Sequence, residues 1–346
     1  MHYVAPTKGK TPPKLILHLG LYKTASTAIQ NGLRELGTPR LAFFGLSELS
    51  RLRWLEDDYI SKVLSQELRR GRSIVISDET IMGDIVDFYR DAEFRLTRIK
   101  HLLPTYDFSN QDIRVIVCIR NQIPWIDSAL REINKWPKIY SEEIFFENLL
   151  NSSRYLKWEN LVTLIERIFG SECLRVLPYT ESSDFLDLFT NEIEFDIPKF
   201  STNINTSLSN LEIDMLRKET NVYRKEKLLD VFKLQKMNIL KVDTSISEKT
   251  NYVSVLPADI MTWALEAFRQ DIAVVSERYG VIRPEHSIHW HRYSLEHLKY
   301  TTYVDDIKKR GDFLKQSLVY FDNSMKTKSF KHNLLRKFRH YTRHRW

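Results

Sequence analysis

Residues 15–19, 73–77 and 114–120 read LILHL, SIVIS and RVIVCIR. Each is a nearly continuous apolar run of strand length. None alternates polar with apolar residues, as a strand with one wet face would. Strands of this kind must be covered on both sides. Helical patterns lie between them, so the chain predicts an α/β fold with a central, mostly parallel sheet and helices on both faces. LRVLPY at 174–179 adds a fourth strand, weakened by Pro178, and LAFFG at 41–45 a short further one. Helices are expected at 24–36, 49–69, 87–103, 141–150, 154–169, 211–239 and 258–278, with Gly280 as the last one's stop. Pro124 opens another, and Ser182, Ser183 and Asp184 cap a short one running through Leu188 and Phe189. Residues 190–210 read as irregular and 241–256 as an insertion or lid.

The residues just beyond each apolar run carry the chemistry. Gly20 breaks the first, and Lys23, Thr24, Ser26 and Thr27 come directly after it. Ile29 and Leu33 then stand one helical turn apart. A strand, a tight turn and a helix N-terminus present unpaired N–H groups and partial positive charge. With a lysine and three hydroxyls, that makes a site for phosphate or sulfate. The plainer alternative is a polar helix cap. GxxxxGK[ST] is absent, so the turn is not a Walker A loop. Asp78, Glu79 and Thr80 come after the second run, at the sheet edge where α/β proteins bind ligands. Arg120 ends the third, and Ser128 lies eight residues on.

A chain of 346 residues with 42% apolar content supports one large domain. Its net charge of +7 favours anionic partners without specifying nucleic acid. Aromatic residues at 12% suit packing or stacking on carbohydrate. Cys118 and Cys173 lie in apolar runs and read as small buried hydrophobes. Residues 1–13, closed by Pro12 and Pro13, read as a flexible leader without a signal-peptide pattern, and no run reaches the ~18 apolar residues of a membrane span. His286, His289, His291 and His297 cluster without the spacing of a metal site, and read as loop. Residues 325–346 hold eight Lys or Arg and no acid. They read as a solvated helix end, a basic arm, or a surface for anionic polymer or lipid.

The string from His18 through Gly20, Lys23, Thr24, Ala25, Ser26 and Thr27 resembles the 5'-phosphosulfate-binding loop of sulfotransferases that use 3'-phosphoadenosine 5'-phosphosulfate (PAPS). The bacterial and Golgi-type carbohydrate sulfotransferases are most similar. Ala25 stands where that family generally has glycine. Arg120 and Ser128 resemble its 3'-phosphate site, and Ser77-Asp78-Glu79 its serine-x-glutamate string. The resemblance covers residues 14–33, 73–80 and 114–132, and 174–181 loosely. It implies a P-loop-like three-layer sulfotransferase domain over 14–324. Residues 14–190 would form its nucleotide-binding core and 191–324 a mostly helical acceptor side.

In that likeness Lys23 holds the 5'-phosphate and bridging oxygen, and Thr24, Ala25, Ser26 and Thr27 donate N–H groups. Arg120 and Ser128 take the 3'-phosphate. Glu79 is the general base, with His18 as its rival; Asp78 serves instead as a helix cap. His101, the one histidine between the second strand and Arg120, sits in a helix-end context, which weakens a phenol or steroid acceptor. Trp125, Arg131 and Trp136 line the acceptor cleft or pack the helix. Lys308, Lys309, Arg310 and Gly311 resemble a late cofactor loop, or form a solvated charge run.

The implied activity is sulfuryl transfer from PAPS to a hydroxyl of a carbohydrate or glycolipid, releasing 3'-phosphoadenosine 5'-phosphate (PAP) and requiring no metal. The implied setting is cytoplasmic, as in a bacterial enzyme, with the basic tail as a contact to the inner membrane surface; a chain whose anchor was removed is the other reading. Rival functions are a P-loop kinase or phosphotransferase, a non-catalytic glycan- or protein-binding relative, and a nucleic-acid binder acting through the tail.

Overall fold

The computed structural model describes residues 14–22, 24, 26–36, 40–45, 57–102, 113–137, 139–179, 184–196 and 254–281, with short pieces at 212–213, 216–217, 225–226 and 228–230. Five strands, β1 (Leu15–Leu19), β2 (Leu41–Phe44), β3 (Ser73–Ser77), β4 (Ile113–Ile119) and β5 (Leu174–Pro178), form one sheet in the order β2-β3-β1-β4-β5. Every pairing is parallel. Leu15, Ile16, Leu17, Val115, Ile116 and Val117 have no exposed surface, as strands covered on both faces require. Pro178 ends the edge strand β5, where its missing N–H costs least.

Helix α1 (Ser26–Leu36) and helix α7 (Asp184–Ile193) cover one face. Ile29 and Leu33 of α1, with Phe185, Phe189 and Ile193 of α7, pack on Ile16, Val75, Ile116 and Cys118. The other crossovers run the opposite way across the sheet. Right-handed connection therefore puts α2 (Asp57–Arg69), α3 (Ala92–Leu102), α4 (Gln122–Ile133) and α6 (Trp158–Phe169) on the second face. There α2 meets β3, α6 meets β5 and α3, and α8 (Ala258–Tyr279) lies on α6 and β5. Helix α5 (Glu142–Ser152) comes after α4, and a 3-10 turn, Ser153–Leu156, leads into α6.

Several helix starts differ from expectation; α4 opens at Gln122 and carries Pro124 as its third residue. The stretch expected as helix from 87 begins at Ala92, because Phe88 and Tyr89 lie at φ 51° and 63° in the left-handed region. Phe94 faces outward there rather than the core. The helix expected over 154–169 is interrupted by extended Lys157, and Asp271 of α8 accepts the Trp158 and Glu159 N–H groups, both at 3.0 Å, to restart it. Helix α1 starts at Ser26 rather than 24. Gly280, left-handed at φ 70°, stops α8 by donating its N–H to Ser276 O.

The chain divides into two compact units. One comprises residues 1–129, 143–205 and 257–283 and contains the sheet; the other comprises 130–142, 206–256 and 284–346. Helix α8 thus groups with the sheet, although it comes late in the chain. Within the second unit Arg217 Nε donates to both Glu142 carboxylate oxygens at 3.0 Å, and Asn134 Nδ2 bonds Glu142 Oε1 and Leu130 O. The expected histidine cluster, the 308–311 string, the 241–253 insertion and the basic tail lie outside the described residues. Among the described residues no helix is long and apolar enough to cross a membrane. Cys118 and Cys173 are both buried and not in a disulfide.

Candidate functional site

The strand order fixes where a ligand can enter. From β1 the chain crosses toward β2; from β4 it leaves toward β5, on the other side. The connections diverge between these two neighbours, so their carboxyl ends form the topological switch point at which open α/β sheets bind ligands. Both sequence motifs stand there: the turn at 20–26 comes after β1, and Arg120 after β4. Leu19 pairs with Val117, so β4 runs further than β1 before releasing Arg120.

The β1 turn is built on a close approach. A Cβ at Gly20 would stand 2.5 Å from Ser26 Oγ and 3.2 Å from Ser26 Cβ, so glycine lets β1 pass close beneath the Ser26 side chain without displacing it. Thr24 Oγ1 donates to Leu21 O at 2.7 Å, and Ser26 Oγ donates to the same oxygen at 3.3 Å. Thr24 and Ser26 are buried. Lys23 and Ala25 lie outside the described residues. Gln30 of α1 donates to Ser77 O at 3.2 Å, tying the helix to the end of β3.

Two buried aromatics hold the turn from outside. Tyr22 N–H donates to the Tyr89 phenol oxygen at 3.0 Å, and Trp125 Nε1–H donates to Tyr22 O at 2.7 Å. The Tyr22 and Tyr89 rings stack, 6.4 Å between centroids, and Tyr89 leans on Trp125 at 5.9 Å. Trp125 meets Trp158 and Phe88 edge-on, and Phe88 meets Phe145. Trp125 has no exposed surface, so it is scaffold and not a stacking surface for an acceptor. Burial pushes the Tyr89 phenol well above its ordinary range, with a smaller contribution from the Glu79 and Asp84 carboxylates, so it stays neutral.

The β4 turn is simpler. Asn121 Oδ1 accepts the Ile123 N–H at 3.0 Å and caps α4. Trp158 Nε1–H donates to Arg120 O at 2.5 Å. The half-buried Arg120 guanidinium lies over the Tyr179 ring, 5.0 Å from its centroid. Ser128 is buried on α4. Arg131 is buried and Trp136 exposed.

His18 and Ser77 are register partners on β1 and β3. The imidazole has no exposed surface; Nδ1 lies 2.7 Å from Ser77 Oγ, Nε2 lies 3.6 Å from Cys118 Sγ, and the Phe189 ring packs edge-on. Burial lowers its pKa to about 3, and pushes the Cys118 thiol up. His18 is thus placed as a satisfied core group beneath the turn, with no opening to a substrate. Asp78 accepts the Thr80 N–H and hydroxyl through Oδ1, at 2.7 and 2.9 Å, and so closes the turn after β3. Glu79 is half-buried at that edge, close enough to Tyr89 to act on its phenol.

The structure brings the β1 turn, the β3 turn with Glu79, and Arg120 to one edge of one sheet. Tyr89 and Tyr179 were not among the sequence candidates. Tyr179 was legible as the residue after β5, beside the one after β4; Tyr89 was hidden by the helical reading of its segment. Among the described residues no group of His, Cys, Asp or Glu is placed to hold a metal. Comparison with models of known families, with characterised proteins and with solved structures returns no match.

Proposed function

We propose that this chain transfers the sulfuryl group of PAPS to a hydroxyl of a carbohydrate or glycolipid. One observation carries the reading. The turn that resembles a 5'-phosphosulfate loop and the arginine that resembles a 3'-phosphate ligand follow neighbouring parallel strands at the same sheet edge, and the Trp125–Tyr22 hydrogen bond ties the helix after the arginine to that turn. A nucleotide with anionic groups at both ends suits that layout.

In this reading Lys23 neutralises the leaving phosphate as its charge grows, while N–H groups of 24–27 cradle the 5' end. Arg120, its guanidinium over the Tyr179 ring, takes the 3'-phosphate, and Ser128 of α4 adds a hydroxyl. Glu79 takes the acceptor proton as the oxygen–sulfur bond forms. The sulfur–oxygen bond to PAP breaks in line, and PAP leaves as the anion. The sealed core position of His18 favours Glu79 as base. The proposed setting is cytoplasmic, with 325–346 as a peripheral contact for anionic polymer or lipid.

Calorimetry with PAP, paired with transfer from labelled PAPS to a panel of sugars and glycolipids, tests it. Arg120→Ala should lose about a hundredfold in PAP affinity, in line with a charged hydrogen-bond pair. Lys23→Ala should lose more in turnover than in binding. Glu79→Gln should bind PAP normally and transfer almost nothing. Binding of Mg-ATP in preference to PAP would instead indicate a phosphotransferase.

A further inference from the structure

Phe88 and Tyr89 are consecutive non-glycine residues in left-handed backbone, both buried. Bulky aromatic side chains rarely adopt that conformation, and a pair of them is held only where packing over-determines it. The surrounding bend explains how. Gly83, at φ 134°, passes so close that a Cβ there would meet Tyr89 Cα at 3.4 Å. Val86 N–H donates to Asp84 Oδ1 at 3.0 Å, and Asn148 of α5 donates to Val86 O at 3.2 Å. Ala92 N–H closes onto Tyr89 O at 2.9 Å as α3 begins. The result aims one phenol oxygen at one peptide group of the β1 turn, Tyr22 N–H.

We propose that Tyr89 is a positioning residue for the anion-binding turn at 20–26: its hydroxyl oxygen fixes the Leu21–Tyr22 peptide and so sets the shape in which the turn meets its ligand. The Leu21–Tyr22 peptide is gripped at both ends: Tyr89 accepts from its N–H, and Thr24 and Ser26 donate to its carbonyl, Leu21 O. Trp125 holds the carbonyl of the next peptide, Tyr22 O. A backbone cradle works only if its donors are aligned before the ligand arrives. The segment 78–91 also carries Glu79, so one stretch of chain sets both the cradle and the candidate base. The inference rests on reading this turn as the cofactor cradle.

Tyr89→Phe keeps the ring and removes the oxygen. Hydrogen exchange at the Tyr22 amide, read by NMR, should rise at least tenfold in Tyr89→Phe, and PAP affinity should fall about tenfold. Phe268→Leu loosens the core on α8, away from the bend; it should lower the melting temperature and leave PAP affinity within twofold. Unchanged exchange at Tyr22, faster exchange with unchanged affinity, or an equal affinity loss in Phe268→Leu would each overturn the proposal. Inorganic sulfate serves as a second probe. Where the full chain binds sulfate but not PAP, a tenfold loss of sulfate affinity in Tyr89→Phe upholds the positioning role while the PAPS reading fails. A chain binding neither overturns both.

Discussion

The turns after β1 and β4 stand at one sheet edge yet are held differently. In the β4 turn the helix start is capped locally by Asn121, while distant Trp158 and Tyr179 hold Arg120 through its carbonyl and its guanidinium. The β1 turn depends on other segments. Gly20 passes close beneath the Ser26 side chain, and Tyr89 and Trp125 reach in to hold Tyr22. A side-chain ligand such as arginine carries its own donors and needs only a backing surface. A cradle of backbone N–H groups has no side chain to adjust, so its geometry is set by whatever grips the peptides.

Gly20→Ala should separate the two turns most sharply. The added methyl meets the fixed first residue of α1, and overpacking of this sort costs about 1–3 kcal/mol. PAP affinity should drop 10- to 100-fold by calorimetry, while the β4 turn, followed through amide shifts of 120–124, stays as it was. Equal disturbance at both turns would mean they are not independently built. Tyr179→Leu acts on the other turn with a smaller effect. Loss of the ring under Arg120 should cost about 0.5–2 kcal/mol, or roughly 3- to 30-fold in PAP affinity, with Tyr179→Phe near the parent.

His18→Gln has the smallest effect at neutral pH, and its signature is the pH profile. The folded imidazole holds its proton far less tightly than the unfolded one, with a pKa of about 3 against 6.5. The unfolded state therefore binds the extra proton as pH falls below 6.5. Stability is fully present above that value and declines toward pH 3. Denaturant unfolding from pH 7 to 4 should show this slope in the parent and about one proton less of it in His18→Gln. Retention of the full slope would place the acid sensitivity elsewhere.

The same contrast governs what could be read from the sequence. Strand β3 stands where its apolar run predicts, and β1, β4 and β5 do so to within a residue, because strands buried on both faces carry no ambiguity of side. Arg120 was legible because it directly follows an apolar strand, although Trp158 and Tyr179, which hold it, lie far along the chain. The clamp on Tyr22 was not. Tyr89 comes from 67 residues away and Trp125 from 103. The run containing Phe88, Phe94, Leu96 and Ile99 passes for a helix from 87, and periodicity gives no hint of two left-handed aromatics. The restart of α6 at Trp158 depends on Asp271, a carboxylate whose pKa burial raises, and no local pattern announces it.

That long-range cap has a consequence for biosynthesis. Trp158 and Asp271 are 113 residues apart. At roughly 5–20 residues per second, a ribosome takes about 6–23 seconds to make the intervening chain. Through most of that interval all five strands have been translated, yet the N–H groups at the head of α6 lack their carboxylate. Until α8 has been made, the head of α6 stays without the side chain that caps it.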